Sequence, residues 1–232
     1  MAQSGKQALI IWGGWDGHTP YPSSLMALEL LEEEGFTVKM ENSLKPYLDM
    51  ELLESLDLLV QCWTQGSADD EKIMMDGGGT KNLSNAILDG LGFAGWHGGM
   101  NDSFRRDTEY QFLTGSQWVA HPGGVIDFEV NIVSDDPIVN GIDDFKLKSE
   151  QYYCHVDPGI ISGINGKVLA TTTFKSNIMP WNGVVMPFAY KKYWGDGRIF
   201  YAAYGHTFSD FEVEGAKEIL RRGMSWATRG DD

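Results

Sequence analysis

Residues 56–62 form a nearly continuous apolar run, interrupted only by Asp57 and Gln61. A strand with one face in water alternates polar and apolar side chains, whereas a strand buried on both faces does not. A run of this kind therefore points to a parallel sheet covered by helices on both sides. Residues 8–12, 37–41 and 92–96 supply further strand candidates, the first of them stopped by Gly13-Gly14. Helical spacing follows several of these runs. In residues 22–34, Leu25, Leu28 and Leu31 repeat before a closing Gly35, and residues 70–75 and 83–89 are shorter candidates. After the 92–96 strand, Gly98-Gly99 predicts a sharp turn, with Asn101 or Asp102 capping a helix that runs to about Leu113.

The texture changes in the second half. Residues 125–145 alternate in a β-rich manner, with turn signals at Asp135-Asp136-Pro137 and Asn140-Gly141. Short strands are expected near residues 168–173, 184–190 and 199–203. Ala216, Ile219, Leu220, Gly223, Met224 and Ala227 then fall on one face of a C-terminal helix. With no linker and no internal repeat, the 232 residues read as a single α/β domain, 1–232, carrying a β-rich insertion in its second half.

Eighteen Lys and Arg against 33 Asp and Glu give a net charge of −15, which repels phosphate backbones and anionic membranes. Gly77-Gly78-Gly79 has no Lys-Ser/Thr pair after it, so it is not a P-loop, and no nucleotide cofactor is expected. Two cysteines, Cys62 and Cys154, fit a reduced compartment. Met1 to Lys6 is polar, and the apolar run after it is shorter than a signal-peptide core of roughly 7–15 residues. The expected location is the cytoplasm.

Five histidines remain to be explained. In open parallel sheets, ligands bind beyond the carboxyl ends of the strands. His18, His97 and His206 each follow a predicted strand end. Gly95-Trp96-His97-Gly98-Gly99 has the form of a nucleophile elbow, with an imidazole as the exposed group. Such a side chain suits proton transfer or metal ligation rather than a stable acyl intermediate. The blander alternative is that His97 only caps or satisfies the turn. Residues 149–157, if extended, put Glu150, Tyr152 and Cys154 on one face and Gln151, Tyr153, His155 and Asp157 on the other. The second face is the expected polar site, with a solvent-facing edge as the alternative. His18, His97, His155, His206 and Glu150 supply enough ligands for a divalent metal such as zinc, although no HExxH or CxxC spacing is present. His121, before Pro122, reads as a loop residue. Trp12, Trp15, Trp63 and Trp96 lie at predicted strand ends, where flat faces could receive a sugar. Asp16 lies beside them.

Gly95-Trp96-His97-Gly98-Gly99, Phe104, Tyr110-Gln111-Phe112-Leu113-Thr114-Gly115, His121-Pro122, Ser149-Glu150-Gln151-Tyr152-Tyr153, Gly197-Arg198-Ile199-Phe200-Tyr201 and Gly205-His206-Thr207 occur in this order along nearly the whole chain. The combination resembles the ThuA-like trehalose-utilisation proteins. The resemblance implies a flavodoxin-like three-layer α/β/α fold of the class I glutamine-amidotransferase-like type. In the amidotransferase pattern a cysteine holds the elbow and a histidine is followed two positions later by glutamate. Here His97 holds the elbow, and Thr207 and Phe208 follow His206, so glutaminase activity is not expected. The resemblance implies instead catabolism of oxidised (3-keto) disaccharides.

Two functional expectations follow. The first is an enzyme of keto-sugars, using His97, His206 and Glu150 in acid–base or metal-assisted chemistry, with His18 and His155 as further ligands. Sugar contacts would come from Trp12, Trp15, Asp16, Trp63, Trp96, Tyr153 and Asp157. The second is a noncatalytic sugar-binding or regulatory module on the same fold. The expected partner is a small sugar, with no nucleic acid and no membrane, and self-association into a homo-oligomer stays open.

Overall fold

The computed structural model describes residues 5–176 and 178–230. Residues 1–4, most of the polar opening stretch, lie outside it. The elements in chain order are β1 (Gln7–Gly14), α1 (Pro20–Glu33), β2 (Thr37–Glu41), α2 (Met50–Glu54), β3 (Leu58–Thr64), α3 (Ala68–Glu71), α4 (Gly79–Leu88), β4 (Gly92–Trp96), α5 (Thr108–Thr114), β5 (Ser116–Ala120), β6 (Val125–Ile132), β7 (Phe145–Glu150), β8 (Tyr153–Val156), α6 (Pro158–Ser162), β9 (Gly166–Thr173), β10 (Val185–Trp194), β11 (Gly197–Ala202) and α7 (Glu214–Ala227).

Nine strands form one sheet in the order β2-β1-β3-β4-β11-β10-β9-β6-β7. The first five run parallel, and the remaining four alternate antiparallel. The apolar run read from the sequence is β3, at the middle of the parallel half, with every residue buried. Helices α1 and α7 pack together in one layer, and α2, α4 and α5 in another. The buried face of α7 carries the six residues its spacing predicts. Thus the three-layer α/β/α fold and the β-rich second half are as expected. Strands β5 and β8 form a separate two-stranded ribbon. Among the described residues, no helix is long and apolar enough to cross a membrane.

One local expectation fails. The helix after β4 does not begin at Asn101 or Asp102; it begins at Thr108, capped by Asp107, whose carboxylate accepts from the Tyr110 amide at 3.0 Å. Asn101 and Asp102 cannot cap because their side chains are engaged elsewhere, on Ser116 and Arg105. Residues 97–107 instead form an irregular loop that walls the carboxyl edge of the sheet.

Strand directions decide what meets at that edge. Counting the antiparallel reversals from β11, strand β7 points the same way as β1, β3, β4 and β11, so its last residue, Glu150, arrives at the same edge as their carboxyl ends. In a flat sheet, five strand spacings of about 4.8 Å would leave β7 roughly 24 Å from β4. The sheet curls instead, and Ser149 at the end of β7 reaches the loop after β11, donating to Asp210 Oδ2 at 2.5 Å.

Candidate functional site

The site begins at the elbow. His97 follows β4 directly and holds a φ of 46°, in the left-handed region that non-glycine residues rarely enter. Thr19, Gln65 and Phe104 have similar values (45°, 63° and 47°), and all lie in loops near this edge. Strain of this kind persists only where the surrounding structure imposes it. Gly98 must be glycine: a Cβ there would stand 2.5 Å from His18 Cε1 and 2.9 Å from the Tyr152 hydroxyl.

Four side chains converge beyond the strand ends. His97 Nε2 lies 3.2 Å from Glu150 Oε2, His206 Nδ1 lies 3.3 Å from it and His18 Nε2 lies 3.7 Å from it. One ligand atom from each of these residues falls within 4.8 Å of all the others. Two of the imidazoles are fixed from behind. His97 Nδ1 lies 2.8 Å from the Ala203 carbonyl oxygen, and its ring stacks on Tyr152 with centroids 3.9 Å apart. His18 Nδ1 is 3.0 Å from Thr64 Oγ1. At His206 it is the backbone that is held, its N–H donating to Asp210 Oδ2 at 3.0 Å.

The proton positions follow from chemistry. The Ala203 carbonyl can only accept, so His97 Nδ1 carries the proton and Nε2 presents its lone pair to Glu150. Burial pushes the His97 imidazolium down to about 4, against the pull of Glu150, so the ring is neutral at neutral pH. Burial alone would raise the Glu150 carboxyl, but the imidazoles of His18, His206 and His97 outweigh it and hold it well below the usual carboxylate range. A neutral lone pair therefore faces a carboxylate oxygen at 3.2 Å.

Four of the expected site residues are thus brought together: His18, His97, His206 and Glu150. His155 is not. It is exposed on β8, opposite Gln117, and lines a separate cavity of about 390 Å³ with Phe112 and Asp157. Residues 149–157 are not one strand, because β7 ends at Glu150 and β8 begins at Tyr153. The face carrying Glu150 and Tyr152 turns to the site, and the face expected there turns away. Asp157 caps α6, accepting from the Gly159 amide at 2.7 Å, and pairs with buried Lys192 at 3.0 Å. Its carboxylate is thus engaged away from the clustered imidazoles.

The tryptophans divide by exposure. Trp96 packs edge-on against Phe211 in the core, and Trp63 is also buried, so neither offers a free face to a sugar. Trp12 is half-buried against Tyr21. Trp15 is 49% exposed and stands 4.8 Å from the His18 ring, beside exposed Asp16. Tyr153 packs on Phe174 and lines an apolar cavity of about 520 Å³ with Pro122, Trp181 and Val184. A cavity of about 730 Å³ over β6 and β7 reaches Gln151 but none of the clustered imidazoles.

His121, expected to be a bystander, lies with Nε2 3.7 Å from Glu150 Oε1, the oxygen the other imidazoles leave free. Tyr152, Thr64 and the Ala203 carbonyl were also not foreseen. For Tyr152 a signal existed, since it shares the Glu150 face in the two-residue period. For a threonine and a carbonyl on other strands there was none.

The sequence model of ThuA, described as trehalose utilisation, matches residues 7–227. No curated protein matches the chain in sequence. Among solved structures, a ThuA-like protein from Bacteroides uniformis superposes with a TM-score of 0.74 at 15% identity, over 98% of this chain and 93% of that one. A ThuA-like protein from Parabacteroides merdae gives 0.70 at 15% identity, over 99% and 93%. A Salmonella typhimurium protein described as cytoplasmic gives 0.66 at 10% identity, over 96% and 100%.

Proposed function

The chain belongs to the ThuA family, and from that premise we propose that it is an enzyme acting on a saccharide, a 3-keto-disaccharide or a related sugar, with His18, His97, His206 and Glu150 holding a divalent cation such as zinc. The observation that carries the cation is the His97 contact. A lone pair 3.2 Å from a carboxylate oxygen is repulsive unless a shared proton or a cation lies between them, and a cation also accounts for the two further imidazoles gathered on the same oxygen. Histidine ligands characteristically donate their other ring nitrogen to a carbonyl or carboxylate, as His97 does to Ala203. The spacing at Glu150 supports it. Ligands about 2.0–2.1 Å from a tetrahedral cation stand about 3.3 Å apart; the Glu150 Oε2 contacts run 3.2, 3.3 and 3.7 Å, and the four ligand atoms together span up to 4.8 Å, which small side-chain shifts would close around an ion.

A cation bound there supplies Lewis acidity toward a substrate oxygen. The C–H bonds beside a keto group are acidic, so proton transfer at such a carbon suits an elimination or isomerisation that needs no covalent enzyme intermediate. The chain's own groups do the positioning. Thr64 and Ala203 fix two ring orientations, Tyr152 backs His97, and half-exposed Trp15 offers a flat face beside His18. Glutaminase chemistry has no nucleophile here, because an imidazole holds the elbow. Two buried free thiols support a cytoplasmic location in this reading.

Elemental analysis of protein purified without chelators or a metal-affinity tag tests the cation. About one divalent ion per chain, lost in His97→Ala and in His206→Ala, is expected. Turnover of 3-keto-disaccharides should fall in the same variants. No bound ion together with unchanged turnover in both variants would overturn the reading. Tight saccharide binding with no product on long incubation would favour a binding module instead.

A further inference from the structure

We infer that Arg105 is a specificity-determining residue of this site, donating hydrogen bonds to uncharged oxygens of a neutral saccharide; the inference rests on the saccharide reading above. Arg105 lies in the loop between β4 and α5, and its guanidinium is held on two sides. Nε and Nη2 donate to the two oxygens of Asp102 at 2.5 and 2.9 Å, and the Asp102 side chain is 4% exposed. The guanidinium carbon sits 4.3 Å over the Trp118 ring. The Arg105 carbonyl in turn accepts from Gln111 Nε2 at 2.7 Å. Long flexible side chains are normally too disordered to select a ligand, and this one is fixed before any ligand arrives.

The fixed group is also presented. The Arg105 side chain is 48% exposed, and Nη1 makes no hydrogen bond among the described residues. Aromatic rings connect it to the cluster. Trp118 lies 6.1 Å from Tyr152 and 5.7 Å from His121. Tyr152 stacks on His97, and His121 approaches Glu150. Arg105, Trp118 and His121 thus make one wall of the site, with Trp15 standing beside His18.

The chemistry of the wall selects the ligand. A guanidinium has donors and no acceptor, so its partner must present acceptor oxygens. Asp102 already neutralises the charge of Arg105, the Glu150 carboxylate lies close by, and the chain carries a net −15. That balance disfavours a second anion and favours hydroxyl or keto oxygens. On this inference a disaccharide held at the imidazole cluster extends along Trp118 and offers such oxygens to Nη1.

Calorimetric titration of the cation-loaded protein with trehalose and with a uronic-acid disaccharide tests this. Arg105→Gln should weaken trehalose binding roughly 10–100-fold with cation content unchanged, while the thermal midpoint falls because buried Asp102 loses its bidentate partner. Arg105→Lys should recover only part, because a point ammonium cannot grip Asp102 with two donors and still reach a ligand; it also keeps the charge if the Gln variant folds poorly. Wild-type affinity for trehalose in both variants overturns the assignment, as does a wild-type preference for the uronic-acid sugar that Arg105→Gln removes. If the wild type holds its cation and binds neither these sugars nor a 3-keto-disaccharide, the saccharide reading itself is overturned.

Discussion

His97 Nε2 and Glu150 Oε2 stand 3.2 Å apart although His97 follows β4, inside the parallel half of the sheet, and Glu150 ends β7, its far edge strand. Two facts of topology produce this contact. Strand β7 runs in the direction of the parallel strands, and the antiparallel half curls back over them. The proposed cation would lie between this carboxylate and the imidazoles that gather on it.

Removing the cation should therefore destabilise the fold. An ion at about 100 times its dissociation constant contributes about 2.7 kcal/mol. For a chain of this size that is roughly 5–10 °C of thermal midpoint. Calorimetry before and after chelator dialysis, with re-addition of zinc, reads it. A midpoint indifferent to both steps argues against the site.

The chelated protein should lose stability on mild acidification. His97 is depressed to about 4 when folded, against an ordinary 6.5, by burial. Above pH 6.5 both folded and unfolded chains leave it neutral, and it has no effect. Between pH 6.5 and 4 the unfolded chain takes up a proton that the folded chain refuses, so stability falls as the pH falls, by roughly 3 kcal/mol from this residue. Urea midpoints from pH 7.5 to 4.5 should drop more steeply for wild type than for His97→Gln. Parallel curves would show that His97 is not the group responsible.

Gly98→Ala should damage the site more than the fold. The new Cβ would crowd His18 and the Tyr152 hydroxyl, and overpacking of this kind costs about 1–3 kcal/mol. The expected outcome is a cation affinity at least about tenfold weaker in a protein that still folds. Wild-type cation affinity would mean that the His18 ring position is unimportant.

Asp157→Asn should do the reverse. It leaves the buried Lys192 ammonium without its carboxylate, which costs about 3–5 kcal/mol when a buried pair is broken. Cation content and sugar binding should survive. Urea unfolding checks the first claim and elemental analysis the second; loss of the cation would return Asp157 to the site.

The legible part of this protein is the part written in local periodicity. Unbroken apolar runs specify strands buried on both faces, and such strands specify a parallel sheet with helices on each side. That arrangement alone gathers His18, His97 and His206 at one edge, because each follows the carboxyl end of a parallel strand. Glycines around His97 likewise announced the elbow. The sequence could not announce where β7 would lie. A strand's partners depend on sheet order and curl, which arise from packing between residues far apart in the chain, and the period of two says nothing about which face turns inward once a strand is broken between Glu150 and Tyr153. Hence Glu150 joined the cluster while His155 and Asp157 faced away, His121 arrived as a neighbour of the carboxylate, and Arg105 gained its place through Asp102 and Trp118. Residue type and local pattern determined the sheet and three of the imidazoles; only the folding of a distant edge strand onto them decided the acid that completes the site.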